Sequence, residues 1–349
     1  MRRKLISILG VMLIAALLIG TGSQAVQATN SQITPHQLQQ LDGYNIYFSE
    51  TGGAASRFDR TGTGLSRFAG LLRRFGATLL TLEWRNSIPA DCDLLVVAAP
   101  RTDLTAEQTA RLWEYIVNGG KLLLLVEAPA KPYQNAFADS GGLFELTWTD
   151  MSVRGRSALV ATESGETIMA GLREQEENPE TGKMEWVENE YEVPVLETSL
   201  VTTLVNAEHP ITANITGELA FTTARPVEVD ASLQLVEATP LVYAPDTYWA
   251  ETDMDAYNRS TYNNYDETAD ILRGGISLVG ASLNPKTGAQ VVMIGDRDFA
   301  ANGFGLQTNP PNSPYFAYPD NATLLLNAVA WLLDAPVEDW ELPSLTAAE

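Results

Sequence analysis

Hydrophobic and polar positions in the first half of the chain follow the pattern of a strand, a helix and a second strand. Leu94–Ala99 is a short apolar run that Pro100 ends, which is typical of a buried strand. Thr105–Gln108 reads T-A-E-Q, a capping box that begins a helix. Leu122–Val126 is again entirely apolar, as expected for a strand covered on both faces. Together these elements predict a right-handed β-α-β crossover in a parallel sheet.

The predicted helix has apolar residues at positions that share one helical face, and Gly119-Gly120 supplies the backbone conformation that ends a helix. We expect that face to be buried against the sheet. It consists of Leu112, Trp113, Ile116 and Val117.

The preceding segment predicts another β-α-β unit. Tyr44–Phe48 has the pattern of a strand, and a glycine-rich loop, Ser49–Gly64, follows it. Leu65–Phe75 has helical spacing, and Ala77–Leu82 predicts a second strand. The fold class predicted is therefore α/β, with a doubly wound, mostly parallel sheet.

The sequence changes character after Phe144, where short predicted strands replace the helical spacing. An acidic run, Glu174–Glu192, separates the first two of these strands, and we expect it to be a solvated loop. The predicted strands are Ser157–Thr162, Val193–Leu196, Leu200–Asn206 and Val227–Leu235.

The C-terminal part returns to the sheet pattern. Pro240–Ala244 predicts a strand, and Gly275–Leu283 with Ala289–Gly295 predicts a hairpin. A last helix is expected over Asn321–Leu333, capped by Asp320. The predicted organisation is a signal peptide at 1–28, a linker at 29–41, an α/β core formed by 42–143 and 231–335, a β-rich insertion at 144–230 and a frayed tail at 336–349.

The N-terminus predicts export. Arg2, Arg3 and Lys4 precede the apolar run Leu5–Gly20, and small residues stand at the -3 and -1 positions of a cleavage site after Ala28. An uncleaved membrane anchor is the alternative. We therefore expect an extracytoplasmic protein that is secreted, periplasmic or anchored by its N-terminus.

The amino-acid composition argues against several classes of function. The 22 Lys and Arg against 44 Asp and Glu leave a net charge of -22, which repels nucleic acid and argues against binding to it. Cys92 is the only cysteine, so an intramolecular disulfide and a Cys-based metal site are excluded. His36 and His209 are the only histidines, and neither comes with a convincing nucleophile for a catalytic triad.

Candidate ligand-binding residues follow from the position of the strand ends. Ligands of doubly wound sheets bind beyond the carboxyl ends of the strands, where the loop after the first strand and the turn after the hairpin both lie. Turn capping by the same side chains is the alternative. The candidates are Ser49, Glu50, Thr51, Gly52, Arg57, Asp296, Asp298 and Asn302.

An acidic and aromatic stretch between Asp246 and Asp270 suggests a possible cation site. Asp253, Asp255 and Asn258 offer the oxygen ligands that Ca²⁺ takes, although the glycine and the terminal glutamate of a twelve-residue calcium loop are missing. A docking surface for a polar ligand or partner and a solvated loop are the alternatives. No other cofactor is expected.

Several motifs resemble a known bacterial family. Y-N-I-Y-F-S-E-T-G-G, D-C-D-L-L-V-V-A-A-P and N-G-G-K-L-L-L-L-V look like a domain of unknown function found beside ABC-transporter auxiliary proteins. T-P-L-V-Y-A, V-V-M-I-G-D-R-D-F-A-A-N and N-A-T-L-L-L-N-A-V-A-W-L are similar to the auxiliary, gliding-motility-type proteins themselves. The resemblance implies a class I glutamine-amidotransferase-like, flavodoxin-like fold without the catalytic Cys–His pair.

The resemblance also implies a role beside a transporter rather than a known reaction. The leading hypothesis is a non-catalytic exported binding or scaffolding protein of an ABC-type transport system, with transporter components or other envelope proteins as partners. The alternative is an extracytoplasmic, carbohydrate-active hydrolase, with or without a dependence on Ca²⁺. A cell-surface adhesion module is a third hypothesis, suggested by the acidity and the aromatic loop.

Overall fold

The protein has a mixed α/β architecture. The computed structural model describes residues 40–129, 142–232, 235–254, 257, 270, 274–311, 313–337, 339–340 and 342. The strands are β1 (Asn45–Ser49), β2 (Thr78–Thr81), β3 (Leu94–Ala98), β4 (Lys121–Leu125), β5 (Val153–Gly155), β6 (Leu159–Glu177), β7 (Met184–Glu197), β8 (Ser199–Thr202), β9 (Leu219–Thr222), β10 (Val227–Val229), β11 (Glu237–Tyr243), β12 (Trp249–Glu251), β13 (Ser277–Asn284) and β14 (Ala289–Ile294). The helices are α1 (Ser66–Arg74), α2 (Ala106–Val117), α3 (Gly142–Met151), α4 (Pro319–Leu332) and a 3-10 turn, Arg297–Ala300.

The largest sheet has seven strands in the order β11-β13-β14-β4-β3-β1-β2. The five strands from β14 to β2 are parallel to their neighbours, whereas β13 runs antiparallel to both β14 and β11. The parallel part therefore reverses its order between β1 and β3, as in flavodoxin-like sheets. The predicted hairpin of β13 and β14 is confirmed.

Helices cover both faces of this sheet. Alternate residues of β3 enter two different cores, because successive side chains of a strand point to opposite faces. Leu94 and Val96 pack on the side of α1 and α4, and Leu95 and Val97 pack on the side of α2 and α3. The predicted α/β sheet is thus confirmed, while the glutamine-amidotransferase-like assignment stays a prediction.

The capping box that predicts α2 is present. Thr105 accepts a hydrogen bond from the Gln108 backbone N–H, and the Gln108 side chain accepts one from the Thr105 backbone N–H. Leu112 and Ile116 are buried as expected. Trp113 is 50% exposed, so its predicted place on the buried face is wrong.

The acidic run 174–192 is not the solvated loop predicted from its charge. It lies in β6 and β7, which pair antiparallel from Thr167 opposite Pro194 to Glu177 opposite Met184. The two strands pair through their backbone N–H and C=O groups, and this pairing does not require apolar side chains on a face that no core covers. The glutamates therefore do not prevent it. The region after residue 141 also begins with a helix, α3, rather than with strands.

Two expectations about the C-terminus are corrected. Tyr318, not Asp320, occupies the N-cap of α4, because Pro319 starts the helix earlier. The Asp320 carboxylate instead accepts hydrogen bonds from the backbone N–H groups of Thr216 and Gly217. The tail is not frayed at Trp340, whose ring lies 4.8 Å from Phe75 and whose indole N–H donates to the Asn327 side chain.

The predicted signal segment and most of the predicted linker lie in residues 1–39, outside the described part of the chain. Among the helices that the structure describes, none has both the length and the apolar composition needed to cross a bilayer.

Glycine at the end of β14 is required by a close backbone approach. A Cβ on Gly295 would lie 2.1 Å from the Arg225 carbonyl oxygen, well inside contact distance. That carbonyl belongs to a segment that pairs with this strand end, since the Arg225 N–H donates to the Gly295 carbonyl. The sheet must therefore separate locally if position 295 carries a side chain.

We expect Gly295→Ala to lower the free energy of unfolding by several kcal/mol, about 3 by the cost of forced overpacking. The matched control is Gly70→Ala on the exposed side of α1, where a Cβ meets nothing within 4 Å. That control is expected to raise stability by up to about 1 kcal/mol, because alanine is the better helix former. Urea unfolding of both variants measures the difference, and equal stabilities would contradict the steric argument.

Candidate functional site

The carboxyl ends of β1, β3, β4 and β14 lie along one edge of the sheet, since these strands are parallel. The predicted site residues follow β1 and β14, at this edge. The structure divides them into three groups with separate partners.

The first group surrounds Glu50, directly after β1. One Glu50 carboxylate oxygen accepts hydrogen bonds from the Ser56 hydroxyl and the Arg57 backbone N–H, both at 2.9 Å. The other accepts one from the Thr81 hydroxyl at 3.0 Å. Glu50 therefore holds the glycine-rich loop against the end of β2.

Arg57 completes this group. Its guanidinium donates to the Thr81 hydroxyl at 2.9 Å and lies 4.0 Å from the centre of the Phe58 ring. Burial is the largest cause that lowers the Arg57 pKa, and the neighbouring Glu50 opposes it. Ser49 is also buried, and its hydroxyl accepts a hydrogen bond from the Trp84 indole N–H at 2.8 Å.

Thr51 and the two glycines after it are exposed, as are Phe58 and residues 60–63 further along the loop. Gly52 has φ +67, and its carbonyl accepts a hydrogen bond from the Arg101 N–H in the loop after β3. A Cβ on Gly52 would lie 2.9 Å from the Thr102 hydroxyl. The loops that follow β1 and β3, on either side of the point where strand order reverses, are thus in direct contact.

The second group is a cluster of charges after β14. Asp296 is buried, and its two carboxylate oxygens accept hydrogen bonds from the backbone N–H groups of Thr222 and Asp298. Asp296 therefore caps the 3-10 turn that follows, which was the alternative expected for it. Arg297 pairs with Asp298 at 2.8 Å and lies 3.8 Å from Glu127.

Glu127 is a member of this cluster that the sequence analysis missed. It follows β4, and its side chain is only 13% exposed. The rule that selected Asp296, an acidic residue just beyond a core strand, also selects Glu127. Its pairing with Arg297 depends on β4 and β14 being neighbours.

Burial governs the protonation of these carboxyl groups. It is the largest cause that raises the pKa of Glu127 to about 8, with Arg297 opposing and Asp298 adding to the rise. Burial, and then the charge of Asp298, also raises the Asp296 pKa well above its ordinary value. The cluster therefore holds protons at a pH at which exposed carboxyl groups have lost them.

Asn302 forms the third group, as a connection between distant segments. Its amide N–H groups donate to the carbonyl oxygens of Asp59 and Thr61, and its amide oxygen accepts a hydrogen bond from the Arg67 backbone N–H. The segment after β14 is in this way fixed to the far end of the glycine-rich loop. Every hydrogen-bonding position of this side chain is used within the protein.

The proposed cation ligands are only partly described. Asp255 and Asn258 lie outside the described residues. Asp253 is described, and its backbone N–H donates to the buried Glu251 carboxylate at 2.7 Å. Within the described ranges, no three His, Cys, Asp or Glu side chains are grouped so that they could hold a metal ion.

The single cysteine is buried, and the described histidine is partly buried. Burial, and then the charges of Asp93 and Asp91, raises the pKa of the Cys92 thiol to about 12. Burial lowers the pKa of His209 to about 4, and its Nδ1 accepts a hydrogen bond from the Ile211 N–H. At neutral pH these side chains are a protonated thiol and a neutral imidazole that holds a turn.

Comparison with solved structures gives distant likenesses, among them the three that follow. The first, described as the mmIFT52 N-terminal domain, has a TM-score of 0.49 at 12% identity and covers 84% of this chain and 100% of that one. ThuA-like proteins from Bacteroides uniformis and Parabacteroides merdae each have a TM-score of 0.38 at 11% and 12% identity. Each covers 86% of this chain, and 94% and 96% of its own. At these scores we draw no conclusion from them.

No curated protein matches the chain. The model of one protein family, described as an ABC-type uncharacterized transport system, matches residues 46–328, from the first strand of the sheet to the last helix. This is well over half of the chain, and the chain therefore belongs to the ABC-type uncharacterized transport system family.

Proposed function

We propose that the protein is a non-catalytic, exported binding or scaffolding protein that works beside an ABC-type transport system. The observation that carries the proposal is the family match over residues 46–328, which includes both halves of the sheet and the region between them. The predicted signal segment supports the exported location.

The polar side chains at the strand ends make hydrogen bonds that hold loops and turns of the protein, and this supports a non-catalytic role. Glu50 and Asn302 hold the glycine-rich loop, and Asp296 caps a turn. A catalytic nucleophile needs a base within hydrogen-bond reach. Cys92 is instead a thiol with a strongly raised pKa, and His209 is occupied in a turn.

A ligand, under this proposal, contacts the loop after β1. Thr51 and Gly52 are exposed there, and Glu50 and Arg57 fix the loop that carries them. Backbone groups of a glycine-rich loop are accessible to a polar ligand because no side chain covers them. The side chains after β14 then support this loop through Asn302.

A carbohydrate-active hydrolase is the alternative, and Glu127 is the observation in its favour. A general acid must hold a proton near neutral pH, and a pKa raised to about 8 allows this. The scaffold proposal expects the wild-type chain to hydrolyse no member of a polysaccharide panel, with or without Ca²⁺. An activity that Glu127→Gln abolishes would favour the hydrolase.

Stability should depend on pH through Glu127. The folded protein keeps the Glu127 proton up to about pH 8, whereas the unfolded chain loses it near the ordinary carboxyl pKa. The contribution of Glu127 to the free energy of unfolding is therefore fully present below that ordinary pKa and is lost as pH rises through about 8. Between pH 5 and pH 7 we expect the wild type to lose about 1.4 kcal/mol per pH unit relative to Glu127→Gln.

Urea unfolding of the wild type and Glu127→Gln across this pH range measures the effect. Glu114→Gln, an exposed substitution on α2, is the control and should keep the wild-type slope. Parallel slopes for the wild type and Glu127→Gln would mean that Glu127 is ionised in the folded protein.

The proposed location and partners are tested together by crosslinking in intact native cells. A membrane-impermeant, lysine-reactive crosslinker should label the full chain through exposed Lys183 and Lys286, and the adducts should contain membrane subunits of an ABC-type transport system. Lys183→Arg combined with Lys286→Arg should weaken those adducts. Labelling only after cell lysis would contradict export, and adducts without transport components would contradict the association.

A further inference from the structure

Strands β6 and β7 form a long ribbon beyond the short stretch in which β6 also pairs with β12. That stretch is Leu159–Ala161, whereas the ribbon consists of residues 167–177 paired with 184–194. Eleven residue pairs at a rise of about 3.3 Å give it a length of about 35 Å. We call these residues the acidic ribbon.

The acidic ribbon covers no core of its own. None of the side chains described between Glu163 and Glu192 is buried. A two-stranded hairpin is at best marginally stable alone in water, and a sheet usually gains stability by burying one apolar face. The exposed side chains of the acidic ribbon are therefore available for contact with another molecule.

One face of the acidic ribbon presents three large apolar side chains. Residues that pair across an antiparallel ladder, and residues two apart on one strand, share a face. The register places Met169, Met184 and Trp186 on the same face, and their exposures are 62%, 57% and 62%. Single exposed apolar residues are ordinary, but several on one uncovered face indicate an interaction surface.

The same face is strongly negative. Its glutamates are Glu177, Glu188, Glu190 and Glu192, and the register puts one basic residue, Arg173, at a position on this face, opposite Glu188. From Glu163 to Glu197 the sequence has eleven Glu against one Arg and one Lys, a net charge of -9. A second copy of the chain, whose own net charge is -22, and an anionic lipid surface are both repelled by it.

We propose that this face is a docking surface for a protein partner that presents Lys and Arg side chains around an apolar patch. Trp186 and Met184, which are two residues apart on one strand, supply the anchor, since exposed aromatic and methionine side chains are enriched at interface centres. Met169 lies about 20 Å further along the same face. The glutamates beside them supply a charge complement that favours a basic partner and rejects acidic ones. The inference rests on the ribbon alone and holds whether or not the partner belongs to a transport system.

The experiment is photocrosslinking from the ribbon of the full chain in its native cells. Gln175, which lies opposite Trp186 on this face, is replaced by a benzoylphenylalanine residue, and the same residue at exposed Tyr315 reports background. We expect an adduct at position 175 with a partner segment rich in Lys and Arg. Combining Glu188→Lys, Glu190→Lys and Glu192→Lys should reduce the adduct about tenfold, because several weak charge pairs are lost together.

The matched control combines Glu163→Lys, Glu166→Lys and Glu180→Lys, which changes the charge equally outside the paired face and should keep the adduct. Because all six glutamates are exposed, both triple variants should unfold at the wild-type temperature, which circular dichroism checks. The proposal is overturned by an adduct with an acidic or neutral segment, with the chain itself or with polysaccharide. It is overturned equally by equal effects of the two triple variants, or by no adduct above that at Tyr315.

Discussion

Parallel strands that are covered on both faces bring all their carboxyl ends to one edge of the sheet, and the polar groups gathered there must find partners within the protein. Gly295 shows how close the packing becomes, since its carbonyl accepts a hydrogen bond from the Arg225 N–H at an approach that leaves no room for a Cβ. Asp296, next along the chain, uses both carboxylate oxygens on backbone N–H groups. The loop conformations at this edge follow from these constraints.

The same constraint joins the two ends of the core. Asn302 connects the segment after β14 to carbonyl groups more than 240 residues earlier, and Gly303 approaches Gly62 so closely that a Cβ on Gly303 would lie 2.8 Å from the Gly62 Cα. The loop after β1 is therefore shaped by the last strand of the parallel sheet as well as by its own sequence. A ligand that binds this loop would be coupled to the charged cluster after β14 through Asn302.

Local signals in the sequence predicted the core elements well. The capping box at Thr105 and Gln108 and the wholly apolar runs of β3 and β4 act over a few residues, so their structural meaning can be inferred without the rest of the chain. The contact of Glu127 with Arg297 is different. It requires β4 and β14 to be neighbours in the sheet. The order of these strands depends on packing between segments that lie far apart in the sequence.

The error over the acidic run has another physical reason. A run of charged residues is typical of a loop, but Glu188, Glu190 and Glu192 alternate with Val187 and Asn189, which is the period of a strand. Alternation predicts a strand whatever the polarity of its outer face, because the backbone supplies the pairing. The charge of the residues on one face of a strand indicates what covers that face. The periodicity of the sequence indicates whether the backbone is a strand.

Positive charge is distributed differently at the strand ends and in the acidic ribbon. At the strand ends, Arg297 lies beside Asp298 and Arg57 lies beside Glu50, so negative charge is offset within the fold. In the ribbon, Glu176 stands directly opposite Glu185, an arrangement that weakens strand pairing. The Glu176 carboxylate accepts a hydrogen bond from the Asn189 side-chain amide, and the Glu185 carboxylate accepts one from the Asn178 side-chain amide. Neutral amides leave the charge of this pair uncompensated on the face opposite the docking surface, so the ribbon carries net negative charge on both of its faces.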